Sequence, residues 1–284
     1  MSLLKSPELG SRNLILQPVH VRYLLRIARL DLTLLWRNRT ALFSVIGVPL
    51  FFGAMLLISR DNGNKTAGLD AVLYTATGDI AFFLIFPVFI NLVNVFTARR
   101  EELTLKRLRG GALSDIEILG GSVVSAALLY FAQVSVVIVI IATALGAGAP
   151  ANPLLLVLAM VLGTVVFALL ALALSGVTPT TELAQMTVLP IMIVCIAGSG
   201  FMFPLGSLPD ALQPIARALP LTPVVDIART AYLGQDFTFG GGREQLGFVE
   251  SWAACGRGLL LLVVWIVTGT YAARRWFRWE PRKA

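Results

Sequence analysis

The chain has 284 residues, of which 57% are hydrophobic and only 14% charged, with a formal net charge of +7 and a mean hydropathy of +0.81. Soluble domains carry about a quarter charged residues, so this chain has too few charges for a water-facing surface. The same figures exclude disorder, and the class that remains is an integral membrane protein.

Six stretches are long and apolar enough to cross a hydrocarbon core of roughly 30 Å. The first runs about 41–59, between Arg39 and Arg60, and the second about 80–98, between Asp79 and Arg99. A charge-free stretch from Ile118 to Thr181 is too long for one span. Gly and Pro in the segment 146–153 divide it, giving spans at about 118–145 and 154–174. The fifth runs about 183–203 and the sixth about 258–273. The apolar runs are continuous rather than alternating, which excludes barrel strands. The expected fold is all-α: residues 1–40 as a cytoplasmic N-terminal segment, 41–273 as a six-span membrane domain, and 274–284 as a cytoplasmic tail.

Cations in the connections set the orientation. The N-terminal segment has seven Lys and Arg, the second connection five and the tail five, against six in total on the other side. Both termini are therefore expected in the cytoplasm. The N-terminus has no charged-then-apolar signal-peptide pattern, so the first span is expected to be retained. Ahead of it, Arg22, Arg26 and Arg29 form one helical stripe and Leu24, Ala28, Leu32 and Leu35 another. That pattern predicts an amphipathic helix lying in the inner membrane interface. Arg274, Arg275, Trp276, Arg278 and Trp279 form a cation and indole belt at the other end.

Two connections are more than plain loops. In the second, Glu102 and Lys106 stand four apart in the favourable order and predict a short charged helix that Gly110-Gly111 ends. Ser114 and Glu117 then have the spacing of a capping box opening the third span. In the fifth, Ser207-x-x-Asp210 predicts a helix start, and Leu208, Ala211, Leu212, Ile215, Ala216 and Leu219 repeat as one apolar face. Pro220 stops that helix, and Thr222-Pro223 opens a second, which Gly234 closes. Both would be short external helices, either flat in the interface or dipping back as a re-entrant hairpin.

Catalytic chemistry finds little material. None of the four lysines follows a glycine, so no GxxxxGK[ST] phosphate loop exists, and any ATP must be bound by another chain. His20 is the single histidine, and Cys195 and Cys255 lie far apart, which gives no zinc spacing. Ser199 sits between two glycines with no base at span depth to activate it, which argues against an intramembrane enzyme.

The run Phe201–Arg229 resembles the stretch before the last span in type-2 ABC exporter permeases, and REELTLKRLRGGALSDIEILGG (100–121) resembles their coupling loop. The six-span layout agrees over nearly the whole chain. The resemblance implies a permease subunit with no cofactor of its own, pairing with a second permease copy or a paralogue. It further implies two copies of a separate ATPase that holds ATP and Mg, in a bacterial cytoplasmic membrane. Glu101, Glu102, Lys106, Arg107 and Arg109 would contact that ATPase. Leu103 stands where the family motif usually has Gly.

The implied substrate is hydrophobic or amphipathic: a drug, antibiotic, lipid or glycolipid. On the second span, Phe83, Asn91 and Asn94 share a face that would suit such a molecule, and amides are unfavourable toward lipid. The alternative reading of that face is interhelical hydrogen bonding alone. The alternative function is an ion- or proton-coupled secondary transporter or channel. The absence of charges well inside the six expected spans argues against it, because such carriers accept the cost of buried charge.

Overall fold

The computed structural model describes residues 21–37, 43–62, 68–110, 114–201, 204–238, 245–277 and 279. Among these every regular element is helical. The helices are α1 (Val21–Arg37), α2 (Val48–Asn62, entered through a π turn Phe43–Gly47), α3 (Gly68–Phe82), α4 (Asn91–Glu101), α5 (Thr104–Arg109) and α6 (Asp115–Thr143). They continue with α7 (Pro153–Val177), α8 (Thr181–Gly198), α9 (Gln213–Ala218), α10 (Thr222–Leu233) and α11 (Phe248–Trp276). A π turn at Ile85–Ile90 joins α3 to α4.

Five helices are long and apolar enough to cross a membrane: Ala71–Glu101, Asp115–Thr143, Pro153–Val177, Thr181–Gly198 and Phe248–Trp276. The first expected span falls on the π turn and α2, which are not among the five. The second and sixth spans are longer than their sequence limits. Asp79 and Arg257 read as span boundaries, yet both lie inside continuous helices. Asp79 is completely buried.

The helix Ala71–Glu101 occupies the centre, with 72% of its apolar window enclosed by other elements, against 17% for α8 and 22% for α11. Pro87 cannot donate a backbone hydrogen bond, and the chain absorbs the fault with the π turn, in which Phe89 N–H reaches back to Leu84 O at 3.1 Å. A π turn inserts one residue into the helical count and rotates everything after it. Phe83 is therefore enclosed with Phe52 and Phe82, at ring distances of 6.0 Å each, while Asn91 and Asn94 are half-buried. The aromatic stripe of Phe82, Phe89 and Phe96 is buried as deeply as Phe83. No single face of this helix is reserved for amides.

α1 packs on α6. Its Ile27 and Ala28 are buried, and Arg22, Arg26 and Arg29 are exposed. A Cβ at Gly121 of α6 would lie 2.5 Å from Ile27 Cβ, so this approach needs glycine. The capping box at Ser114 forms as read: Glu117 N–H donates to Ser114 Oγ at 3.3 Å, and Ser114 N–H donates to Glu117 Oε2 at 2.8 Å.

The external segment departs from its reading in one half. Ser207 Oγ donates to Pro204 O within a 3-10 turn (Leu205–Ser207) and caps nothing. α9 starts at Gln213, and the apolar residues Leu212 and Ile215 stay exposed. α10 runs from Thr222 to Leu233 as read, ending at Gly234 with φ of 65°. Its residues from Val224 to Tyr232 are buried except Asp226, so it is an internal helix packed among α3, α7 and α11. Asn152 anchors this end. Its Oδ1 caps α7 at Leu155 N–H (3.1 Å), and its Nδ2 donates to Ser251 Oγ of α11 at 2.9 Å.

Candidate functional site

The C-terminal end of the central helix carries three charges in a row, and each is tied to a different element. Arg99 pairs with Asp31 of α1 and donates to Ser122 Oγ of α6 at 2.6 Å. Arg100, 2% exposed, donates to Ser175 O at 2.5 Å, to Thr178 O, and to Pro179 O at 3.3 Å. Glu101 accepts from both the backbone N–H and the hydroxyl of Thr181.

The reason lies in the turn between α7 and α8. A helix leaves its last carbonyls and its first N–H groups without partners. Ser175 O would ordinarily receive the N–H of residue 179, which is proline and has none. α7 has no basic residue in its last turn. Arg100 supplies the missing donors and places positive charge at the negative end of the α7 dipole. Glu101, the next residue, supplies an acceptor at the positive end of α8. One dipeptide thus joins two consecutive helices end to end.

Past Glu101 the chain turns at once into α5. Glu102 N–H donates to Ala98 O at 2.9 Å, and Leu103 O accepts from Arg107 N–H at 3.0 Å to open the short helix. Leu103 takes φ of 59°, the left-handed region, and is the one non-glycine residue to do so among the described residues. Its Cβ makes that conformation unfavourable by about 1 kcal/mol or more. Leu103→Gly is expected to raise thermal stability, since the side chain is partly exposed and makes little use of its burial. A thermal melt of the purified protein measures it; an unchanged or lower midpoint would show that the leucine side chain compensates.

Of the sequence-derived contact set, Glu101, Glu102 and Arg107 are exposed. Glu101 is engaged with Thr181, and the side chains of Lys106 and Arg109 lie outside the described residues, as does His20. Sequence reading passed over Arg100. Its signal was the pairing of a cation-free turn with a proline at position 179, which requires a donor from elsewhere without saying which.

A cavity of about 520 Å³ adjoins this hub, between α1, α4, α5 and α6. Asn91 is on its wall, and Phe83 and Asn94 are not among the residues that line it. Among the described residues no group of His, Cys, Asp and Glu could hold a metal ion.

Long apolar helices wrapped around a central span, with a short charged helix hinged directly to that span, define a multi-pass membrane domain. The family model for ABC-2 type transporters matches residues 23–233. The chain belongs to the ABC-2 type transporter family, and the family implies an ATPase partner. No protein of curated function matches it.

Proposed function

We propose that this chain is the membrane subunit of an ATP-driven exporter that moves a hydrophobic or amphipathic molecule out of the cytoplasm or the inner leaflet. Two copies, or one copy and a paralogue, would assemble with two copies of a separate ATPase that holds ATP and Mg. The Phe43–Asn62 helical segment would supply a sixth span, with both termini on the cytoplasmic side of a bacterial inner membrane. The single observation that carries the reading is the direct hinge between α5 and the Arg99–Glu101 hub. A push on α5 reaches α1, α6, α7 and α8 through named polar contacts, which is what a subunit driven from outside the membrane needs. Coupling of this kind requires an element whose position differs between nucleotide states.

The test is simultaneous charge reversal of Lys106, Arg107 and Arg109 to Glu. If α5 is the docking element, co-purification of the ATPase and substrate-stimulated hydrolysis should both fall, because breaking interfacial charge pairs costs about 2–5 kcal/mol. The permease itself should remain folded and inserted, as Arg107 is exposed. Wild-type retention and turnover would return α5 to an ordinary cytoplasmic loop.

A further inference from the structure

The basic stripe of α1 meets no acidic partner among the described residues. Arg22, Arg26 and Arg29 stand at i, i+4 and i+7, so they share one face over about 10 Å of helix. All three are exposed. Asp31, the single acidic residue of α1, points from the opposite face and is paired with Arg99. Arg26 lies over the ring of its own neighbour Tyr23, at 5.7 Å.

Its level and its borders say what the stripe faces. On the packed side of α1, Leu24 and Ile27 rest on Gly120 and Gly121 of α6, about two turns from the capping box at Ser114. Asp31 meets Arg99 at the charged end of the central span. The stripe is therefore held where two spans leave the hydrocarbon, at the depth of lipid headgroups. Around the helix, Val21 and Leu25 border it on one side and Leu30 and Leu34 on the other. Each of these four is more than half exposed, which water disfavours. A bilayer sets phosphate directly beside hydrocarbon and answers both features at once. An acidic protein patch answers the charge but would need apolar strips of its own along both borders.

We propose that α1 recognises acidic phospholipids, with Arg22, Arg26 and Arg29 on the headgroup phosphates and the apolar borders among the acyl chains. Arginine suits phosphate because its planar fork donates two parallel hydrogen bonds. Each arginine near an acidic leaflet adds about fivefold in local affinity, so three add about a hundredfold at low salt. A zwitterionic headgroup carries the same phosphate with its charge already compensated, and draws the stripe far less. Recognition of this kind needs membrane insertion and no ATPase, so it stands apart from the export reading. It also brings the lipid close to the hub, because the same helix holds Arg99 through its other face.

The experiment attaches bimane to Leu25→Cys; Cys195 and Cys255 are buried, so the introduced thiol is the one that reacts. The full chain is placed in vesicles of equal parts phosphatidylcholine and phosphatidylglycerol at low salt. Bromine, a contact quencher, is carried on the acyl chains of one lipid or the other. Brominated phosphatidylglycerol should quench about threefold more than brominated phosphatidylcholine, as expected for a local enrichment of the acidic lipid. The excess should disappear at about 1 M salt, where the Debye length falls to about 3 Å. It should disappear likewise when Arg22, Arg26 and Arg29 are all replaced by Gln. Bimane on Val267→Cys, an exposed position of α11, should show no excess. Equal quenching by the two lipids at Leu25, or an equal excess at Val267, would overturn the proposal. So would an excess that survives the triple substitution; if that variant fails to insert, the salt dependence of the Leu25→Cys chain decides alone. No quenching by either lipid, with the ATPase lost on co-purification of the triple variant, would assign the stripe to an acidic protein and overturn the lipid surface. Substrate-stimulated ATP hydrolysis is read separately on the assembled complex. A lipid preference without that stimulation keeps the lipid surface and counts against export; stimulation without the preference does the reverse.

Discussion

Arg100→Met is expected to be among the most damaging single substitutions in the chain. Methionine fills a similar volume and removes the charge, so the loss is electrostatic rather than a cavity. Ser175 O then lies buried with no helical N–H to receive, since residue 179 is proline, and Thr178 O is likewise orphaned because it lies at the C-cap, past the last turn of α7. Leaving a buried acceptor unsatisfied costs about 1–3 kcal/mol, and the end-of-helix charge contributes up to about 2 kcal/mol more. With two acceptors orphaned and the charge lost, the total expected loss is about 2–8 kcal/mol, a large share of a typical domain's stability. Arg100→Lys should recover part of it, because an ammonium keeps the charge but cannot fork across three carbonyls. The measurement is the thermal midpoint and monodispersity of the detergent-solubilised protein, with ATP hydrolysis in the assembled complex as a second readout. A Met variant as stable as wild type would mean that water replaces the guanidinium, and Arg100 would lose its place in the hub.

What the sequence made legible was local. The Ser114 capping box, the Gly–Pro break between α6 and α7 and the Thr222–Gly234 helix all depend on residues within a few positions of each other, and all three form. The second connection reads as a short charged helix and α5 forms there, and the departure from Gly at Leu103 marks the position that takes a left-handed φ. What stayed hidden depends on distant partners. Asp79 and Arg257 stop a hydropathy window, because a window prices every charge as if it faced lipid. Asp79 lies inside its helix beside Arg229, a residue far away in sequence. Glu101 and Glu102 look interchangeable in the sequence, yet only Glu101 meets Thr181. The face shared by Phe83, Asn91 and Asn94 presumes an unbroken 3.6-residue helix, and the π turn around Pro87 shifts the register between Phe83 and the two amides. On α9 the apolar period is present without a core to meet it, so only six residues stay helical.

Arg229→Leu is expected to match the Arg100 loss at the other end of the bundle, and its partners allow the causes to be separated. The guanidinium is 1% exposed and donates to Tyr74 O at 3.1 Å and to Gly200 O and Phe201 O at 2.8 Å each. Its carbon lies 3.5 Å from the Tyr74 ring centroid, a cation–π contact that adds to the hold. One side chain thus pins α10 to α3 and to the end of α8. Close by, Asp79 is fully buried, with no hydrogen bond to either carboxylate oxygen among the described residues, and the Arg229 charge is the attraction acting on it. Removing the arginine therefore does two things: it strips three carbonyls of their donor, and it takes away a positive charge that attracts the buried Asp79 side chain. Leaving a buried acceptor unsatisfied costs about 1–3 kcal/mol, so the three carbonyls account for most of the loss. Asp79→Asn in the Arg229→Leu background removes the buried carboxyl group that the arginine attracts and should restore part of the loss, while the carbonyl penalty remains. A double-mutant cycle on thermal stability measures the coupling directly, and an interaction energy above about 1 kcal/mol is expected for groups this close. Strict additivity of the two substitutions would show that Asp79 does not depend on Arg229, and that the arginine serves only the carbonyls of residues 74, 200 and 201.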